Sequence, residues 1–250
     1  MITRKPEQLF ASKQQHEHKS RSSDNRPSFD DRLDHIVKAA TGTIARVGYQ
    51  RASMRAVAKD AGVSLSGLYH YVDCKEKILF LIQFRTFSSL LNNLKEKLHG
   101  LDDPIDQIRV MVRAHVGYFA ANMAALKVCS HELDSLTGTA HEETRRIRHE
   151  YYNLTRSIVE RILQRNAGTN AHDVHAATMS LFGMLNWLYR WYDPRGGRSP
   201  NALANQIADM FLEGIVGDRP RRAVCDTLSV RTGDETALPM DDAPGVSTQG

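Results

Sequence analysis

Residues 53–79 read SMRAVAKDAGVSLSGLYHYVDCKEKIL, and their order of small, polar and apolar positions predicts two short helices joined by a tight turn. Ser53 is positioned to cap a helix from Met54 to about Asp60, its hydroxyl accepting from backbone N–H groups of the first turn. Ala58 falls inside that helix and Gly62 four residues later. Two helices that cross closely want a small side chain at the contact, and the turn wants a residue that takes positive φ without strain. Ser64 then caps a second helix, with Val63 and Leu68 closing the apolar wedge beneath it. Leu65, Ser66, Gly67, Tyr69, His70 and Tyr71 are left around its outer surface. Asp73 with Glu76 three residues on predicts a capping box at the start of the long helix that follows.

The pattern is that of a helix-turn-helix, whose second helix enters the major groove of double-stranded DNA. Ser64, Tyr69 and Lys75 are of types that hold phosphates and set register. The second helix carries no arginine for a bidentate guanine contact, which leaves Arg55, backbone groups, apolar contacts or DNA shape to supply specificity.

Outward from this segment, helical period dominates. On the N-terminal side Leu33, Ile36, Val37, Ala40, Ile44 and Val47 form one apolar stripe, which Gly48 ends. On the C-terminal side amphipathic stretches run at about 74–98, 104–123, 125–135, 140–166, 171–192 and 200–216, separated by glycine- and proline-bearing breaks. No alternating strand pattern occurs. The predicted class is all-α: an N-terminal three-helix helix-turn-helix domain at 29–75, then a helical domain at 76–217 whose apolar faces suffice to enclose a pocket, with about nine helices in all. Residues 1–28, with Lys5, Lys13, Lys19, Arg21 and Arg26, read as a flexible basic arm, and 218–250 as a disordered tail.

The 250 residues are 41% hydrophobic and 25% charged, which is the composition of an ordinary globular protein. A pI near 9.0 and a formal charge of +4 permit a nucleic-acid partner. Cys74, Cys129 and Cys225 form no CxxC pair, so inert thiols in a reducing compartment are expected. No window approaches the roughly 18 apolar residues of a membrane span, so no membrane partner and a cytoplasmic location are expected. His115, His131, His141, His149, His172 and His175 make no HxxxH or HExxH pair, so no metal is expected, nor any cofactor. No GxSxG elbow or assembled nucleophile and base occurs, which argues against an enzyme.

The stretch GYQRASMRAVAKDAGVSLSGLYHYVDCKEKIL, residues 48–79, resembles the N-terminal signature of the TetR/AcrR family, GxxxTSxRxIAxxAGVSxGxLYxHFxSKExL. It matches at Gly48, Arg55, Val57, Ala58, Ala61, Gly62, Val63, Ser64, Leu68, Tyr69, Lys75 and Glu76. It departs at Ser66, Tyr71, Val72 and Cys74, where Gly, His, Phe and Ser are usual. The resemblance implies a homodimeric, ligand-controlled transcriptional regulator in which Ser53, Arg55, Ser64, Gly67, Tyr69, His70 and Lys75 face operator DNA. It also implies a dimer interface on the stretches 171–192 and 200–216, where Met179, Phe182, Leu185 and Leu188 fit either that interface or plain core packing.

A second segment, WLYRWYDPRGG at 187–197, resembles the WxxRWYxPGG end of the penultimate helix in a subgroup that senses acyl-CoA thioesters. On that resemblance Trp187 and Trp191 stack on adenine, while Arg190, Arg195 and Arg198 pair with phosphates. The same tryptophans, four residues apart, fit a dimer core equally well. A hydrophobic or aromatic effector among the middle helices is the other reading, with Phe119, Met123, Leu126, Tyr151 and Tyr152 as lining. The expected function is a repressor released by a small effector, either an acyl-CoA or another hydrophobic molecule as in regulators of efflux or stress genes. A dimeric ligand-binding module without operator recognition is the remaining alternative.

Overall fold

Ser28 opens the first helix with a reciprocal capping box: its hydroxyl accepts from the Asp31 N–H at 3.1 Å, and the Asp31 carboxylate accepts from the Ser28 N–H. The residue expected to end a flexible arm is therefore part of the folded domain. The computed structural model describes residues 28–165 and 173–216. Among them nine α-helices and two 3₁₀ turns make up the regular structure, and no strand occurs. The rest of the basic arm, residues 166–172 with His172, residue 217 and the tail 218–250 with Cys225 lie outside the described residues.

The first three helices, α1 (Phe29–Val47), α2 (Met54–Asp60) and α3 (Leu65–Tyr69), build the N-terminal core. Ile36, Ala40 and Ile44 of α1 meet Val57 and Ala58 of α2 and Leu68 of α3, all nearly inaccessible to solvent. Gly62 makes the turn between α2 and α3 at φ +63°, where a Cβ is strained. Val72 is buried in the same core.

The long helix α4 (Lys75–Leu98) belongs to two cores at once. Ile78, Leu79, Phe80 and Ile82 complete the N-terminal one, whereas Leu90, Leu91 and Leu94 join the C-terminal one. The packing therefore changes over midway along α4, while the boundary expected at residue 76 falls at its first turn. The C-terminal core is formed with α5 (Pro104–Ala121), α6 (Met123–His131), α7 (Gly138–Arg165), α8 (Val174–Asn186) and α9 (Pro200–Val216). Asp103 caps α5 ahead of Pro104, and Asp173 caps α8. An ion pair between Arg109 and Asp209 ties α5 to α9.

Three sequence expectations change. The capping box at Asp73 and Glu76 does not form: Cys74 is the N-cap without a side-chain bond, and the Glu76 carboxylate accepts instead from the N–H and hydroxyl of Thr137, both at 2.7 Å. The stretch 125–135 begins earlier, at Met123, and breaks after His131, where Glu132 is held by three contacts described below. Within the described part of the stretch 171–192, which begins at 173, the α-helix is Val174–Asn186 and Leu188–Arg190 continue as a 3₁₀ turn. There the Tyr192 hydroxyl donates to the Arg198 carbonyl at 3.1 Å and Asp193 accepts from the Arg195 N–H at 2.9 Å, which closes a loop where Pro194 offers no backbone donor.

Candidate functional site

The two short helices are capped as local chemistry requires. The Ser53 hydroxyl accepts from the Ala56 N–H at 3.1 Å, and that of Ser64 from the Gly67 N–H at 3.0 Å. With Leu68 sunk into the core, α3 turns Leu65, Ser66 and Tyr69 outward; Leu65 is 36% and Tyr69 47% exposed. Arg55, Ser53, Ser64 and His70 are exposed beside them, and Gly67 is half-buried. Tyr71 is half-buried, with its ring 4.7 Å from that of Phe29 and 5.3 Å from that of His70. Phe29 also meets His70 edge-on and so braces the end of α3 from the start of α1. Lys75 folds back, donating to the carbonyls of Tyr49 (2.9 Å) and Gln50 (3.2 Å) and lying 4.3 Å above the Tyr49 ring.

A cavity of about 260 Å³ opens among α4, α5, α6, α7 and α8. Its floor is buried and largely aromatic, with Phe119, Leu126, Tyr151 and Phe182 around His115 and Cys129. Its mouth carries exposed Arg145, His149, Met179 and Asn186, with Arg148 half-buried between mouth and floor. Burial lowers the His115 pKa to about 3, so its imidazole is neutral, and raises the Cys129 thiol to about 11, so it is not a thiolate. The Tyr151 hydroxyl lies 3.1 Å from His115 Nδ1.

The residues expected to hold an effector are not gathered in one place. Phe119, Leu126, Tyr151 and Tyr152 line the cavity, but Met123 lines a separate groove with Lys38, Arg85 and Tyr118. Trp187, Trp191 and Arg198 line a surface cleft between α8 and α9, together with Met184, Gln206 and Met210. Both tryptophans are 56% exposed and Met210 is 59% exposed. The Arg190 guanidinium lies 5.8 Å over the Trp187 ring, and Arg195 pairs with Asp193 at the surface. Of the four candidates for a dimer face, Met179 is exposed, whereas Phe182, Leu185 and Leu188 are core.

A run of hydrogen bonds leads from the cavity to the helix-turn-helix domain. Arg148 donates to the Cys129 carbonyl (2.7 Å) and to Gln83 Oε1 on α4 (3.2 Å). Gln83 is fully buried, and its Nε2 donates to the Glu132 carbonyl at 3.0 Å. The Glu132 carboxylate accepts from the Tyr49 N–H at 3.1 Å and from the Ser135 hydroxyl at 3.0 Å. Tyr49 is the residue whose carbonyl holds Lys75. Phe29, Gln83 and Arg148 have no part in the sequence reading. His115 entered it only as a metal candidate, although its place in the apolar stripe Ile108, Met111, Val112, His115, Phe119 marks a buried polar group. Among the described residues no three His, Cys, Asp or Glu side chains converge on a metal site, and no helix is long and apolar enough to cross a membrane.

Residues 36–82 match the model of the bacterial regulatory proteins of the tetR family, and residues 101–215 that of the tetracyclin repressor-like C-terminal domain. A TetR-family transcriptional regulator from Bordetella parapertussis 12822 is 30% identical, with a TM-score of 0.67 over 72% of this chain and 94% of that one. AibR, solved in complex with isovaleryl coenzyme A and operator DNA, has the same fold at 22% identity, with a TM-score of 0.64 over 75% of this chain and 100% of that one. The fatty acid metabolism regulator protein of Bacillus subtilis (strain 168) is 22% identical over 181 residues, which are 72% of this chain and 93% of the relative. With both domain models in register on the two cores and a relative at this identity, the chain belongs to the TetR family of transcriptional regulators, and α2 and α3 are its DNA-binding helix-turn-helix.

Proposed function

We propose that the chain is a dimeric repressor released from its operator by a small effector bound in the cavity, an acyl-CoA thioester of a lipid or aromatic degradation pathway. The observation that carries this reading is the composition of the cavity: a buried aromatic floor behind a mouth bearing Arg145 and His149, with Arg148 half-buried between floor and mouth. An apolar acyl group suits the floor, and the phosphates of coenzyme A suit guanidinium groups at the mouth. The volume of about 260 Å³ limits the enclosed part to a short acyl group. AibR was solved with isovaleryl coenzyme A, and the Bacillus relative is named for fatty acid metabolism, which supports the same class. We assign exposed Trp187 and Trp191, which follow α8, and Met210 of α9 to the dimer face rather than to an adenine stack, since an apolar patch of this kind is characteristic of an interface. The dimer would set two α3 helices into half-sites about one helical turn apart, and effector binding would favour another spacing. A tenfold loss of operator affinity takes only about 1.4 kcal/mol of differential binding.

The test is a mobility-shift titration on the chain's own upstream DNA, with a panel of short acyl-CoA thioesters and the matching free acids. Release by a thioester but not by its acid is expected. Retardation indifferent to every thioester discards the acyl-CoA assignment, and absence of retardation at low salt discards the repressor.

A further inference from the structure

Among the described residues two buried side-chain polar atoms lack a hydrogen-bond partner, and one of them is Nε2 of His115, a residue of the cavity lining. The ring is enclosed by Phe119 at 4.8 Å, Tyr151 at 6.0 Å and Phe182 at 6.3 Å between centroids. Its partner on the other side is the Tyr151 hydroxyl, itself fully buried. A neutral imidazole carries one N–H and a phenol one O–H, so the pair holds two protons and spends one on the bond between its members. Whichever tautomer is present, one proton is left to offer. With Nδ1 accepting from Tyr151, that proton sits on Nε2, the atom without a partner. A buried donor left without an acceptor is costly, and an effector that brings an acceptor recovers the cost.

We propose that the His115–Tyr151 pair receives a carbonyl oxygen on the enclosed part of the effector, so that the ligand class is a planar, apolar carbonyl compound such as an aroyl or enoyl group rather than a saturated hydrocarbon chain. The flatness follows from the rings that wall the floor, Phe87, Phe119, Tyr151, Tyr152 and Phe182, which offer faces and edges to a planar body. The inference rests on the cavity being the effector site but not on coenzyme A being part of the effector.

The experiment compares two probes of the same shape, acetophenone and ethylbenzene, by isothermal titration calorimetry on the full chain. An apolar cavity without a donor favours ethylbenzene, because the ketone gives up hydrogen bonds to water on entry. A cavity with the donor in place reverses the order, and acetophenone is expected to bind roughly fivefold to a hundredfold tighter. In His115→Leu/Tyr151→Phe, where both polar partners are gone and no buried group is orphaned, ethylbenzene should be the tighter ligand. Tyr151→Phe alone keeps the imidazole N–H and should keep the ketone preference, which gives a second reading if the double variant folds poorly. Equal affinity of the two probes, a tighter ethylbenzene in the wild type, the same order in wild type and double variant, or no binding of either probe overturns the proposal. Thioester-insensitive retardation combined with a ketone preference removes only the acyl-CoA reading, whereas thioester release without a ketone preference removes only this one.

Discussion

The ammonium of Lys75 carries three protons, of which two go to the carbonyls of Tyr49 and Gln50. The third goes to neither carbonyl, and on the reading of Lys75 as a DNA contact it would serve an operator phosphate. Lys75→Ala is therefore expected to weaken operator binding about equally for all sequences and to reduce the slope of log affinity against log salt by about one, measured by mobility shift across a salt series. A slope left unchanged alongside a lower melting temperature would make Lys75 a structural clasp only. The sequence supplied this lysine as a cation beside the recognition helix, but the carbonyls it grips lie 25 and 26 residues earlier, beyond any local pattern. The caps made by Ser53 and Ser64 were legible because each bonds three residues ahead in its own helix. Glu76 was misread by the same rule: its local partner was outcompeted by two donors from Thr137, 61 residues away.

Between elements, the hydrogen bonds of Arg148, Gln83 and Glu132 join α7, α4 and the end of α6 to the loop before α2. Helical period disclosed the elements and most of their apolar faces. It did not disclose this route, whose members are polar and 49 to 83 residues apart. The cavity was legible only in part for the same reason: Phe119, Tyr151 and Tyr152 were foreseeable as apolar lining, but their closure around His115 depends on how α5, α7 and α8 pack. Contiguity alone does not establish coupling, so Glu132 is the place to test it. Glu132→Ala should raise hydrogen exchange at the Tyr49 amide about tenfold, equivalent to about 1.4 kcal/mol of lost protection. It should also shrink the difference in operator affinity with and without effector. Unaltered exchange at Tyr49 would show that the bond contributes nothing to holding the loop.

For the molecule as a whole, burial of neutral His115 ties stability to pH. In the unfolded chain the imidazole protonates near its ordinary 6.5, whereas in the folded chain it resists until about 3. Between those values the unfolded state binds more protons, so this contribution is complete above about pH 6.5 and is lost as pH falls, with a slope approaching 1.4 kcal/mol per unit. His115→Leu/Tyr151→Phe should accordingly show a shallower fall in melting temperature than the wild type as pH drops from about 6.5 to about 4, the range in which the native imidazole stays neutral. At the outer face, Met210→Glu puts a charge into the exposed patch with Trp187 and Trp191, and analytical ultracentrifugation should find a monomer that binds operator at least about tenfold more weakly. A variant that remains dimeric would move the interface elsewhere. The sharing of α4 by two cores makes it a lever as well as a wall. Its 24 residues give an arm about 36 Å long, so a tilt of about 5° at the cavity end carries the other end roughly 3 Å, the length of a hydrogen bond. On the reading of the cavity as the effector site, a tilt of that size is enough to take Lys75 and α3 out of reach of the phosphates they would hold.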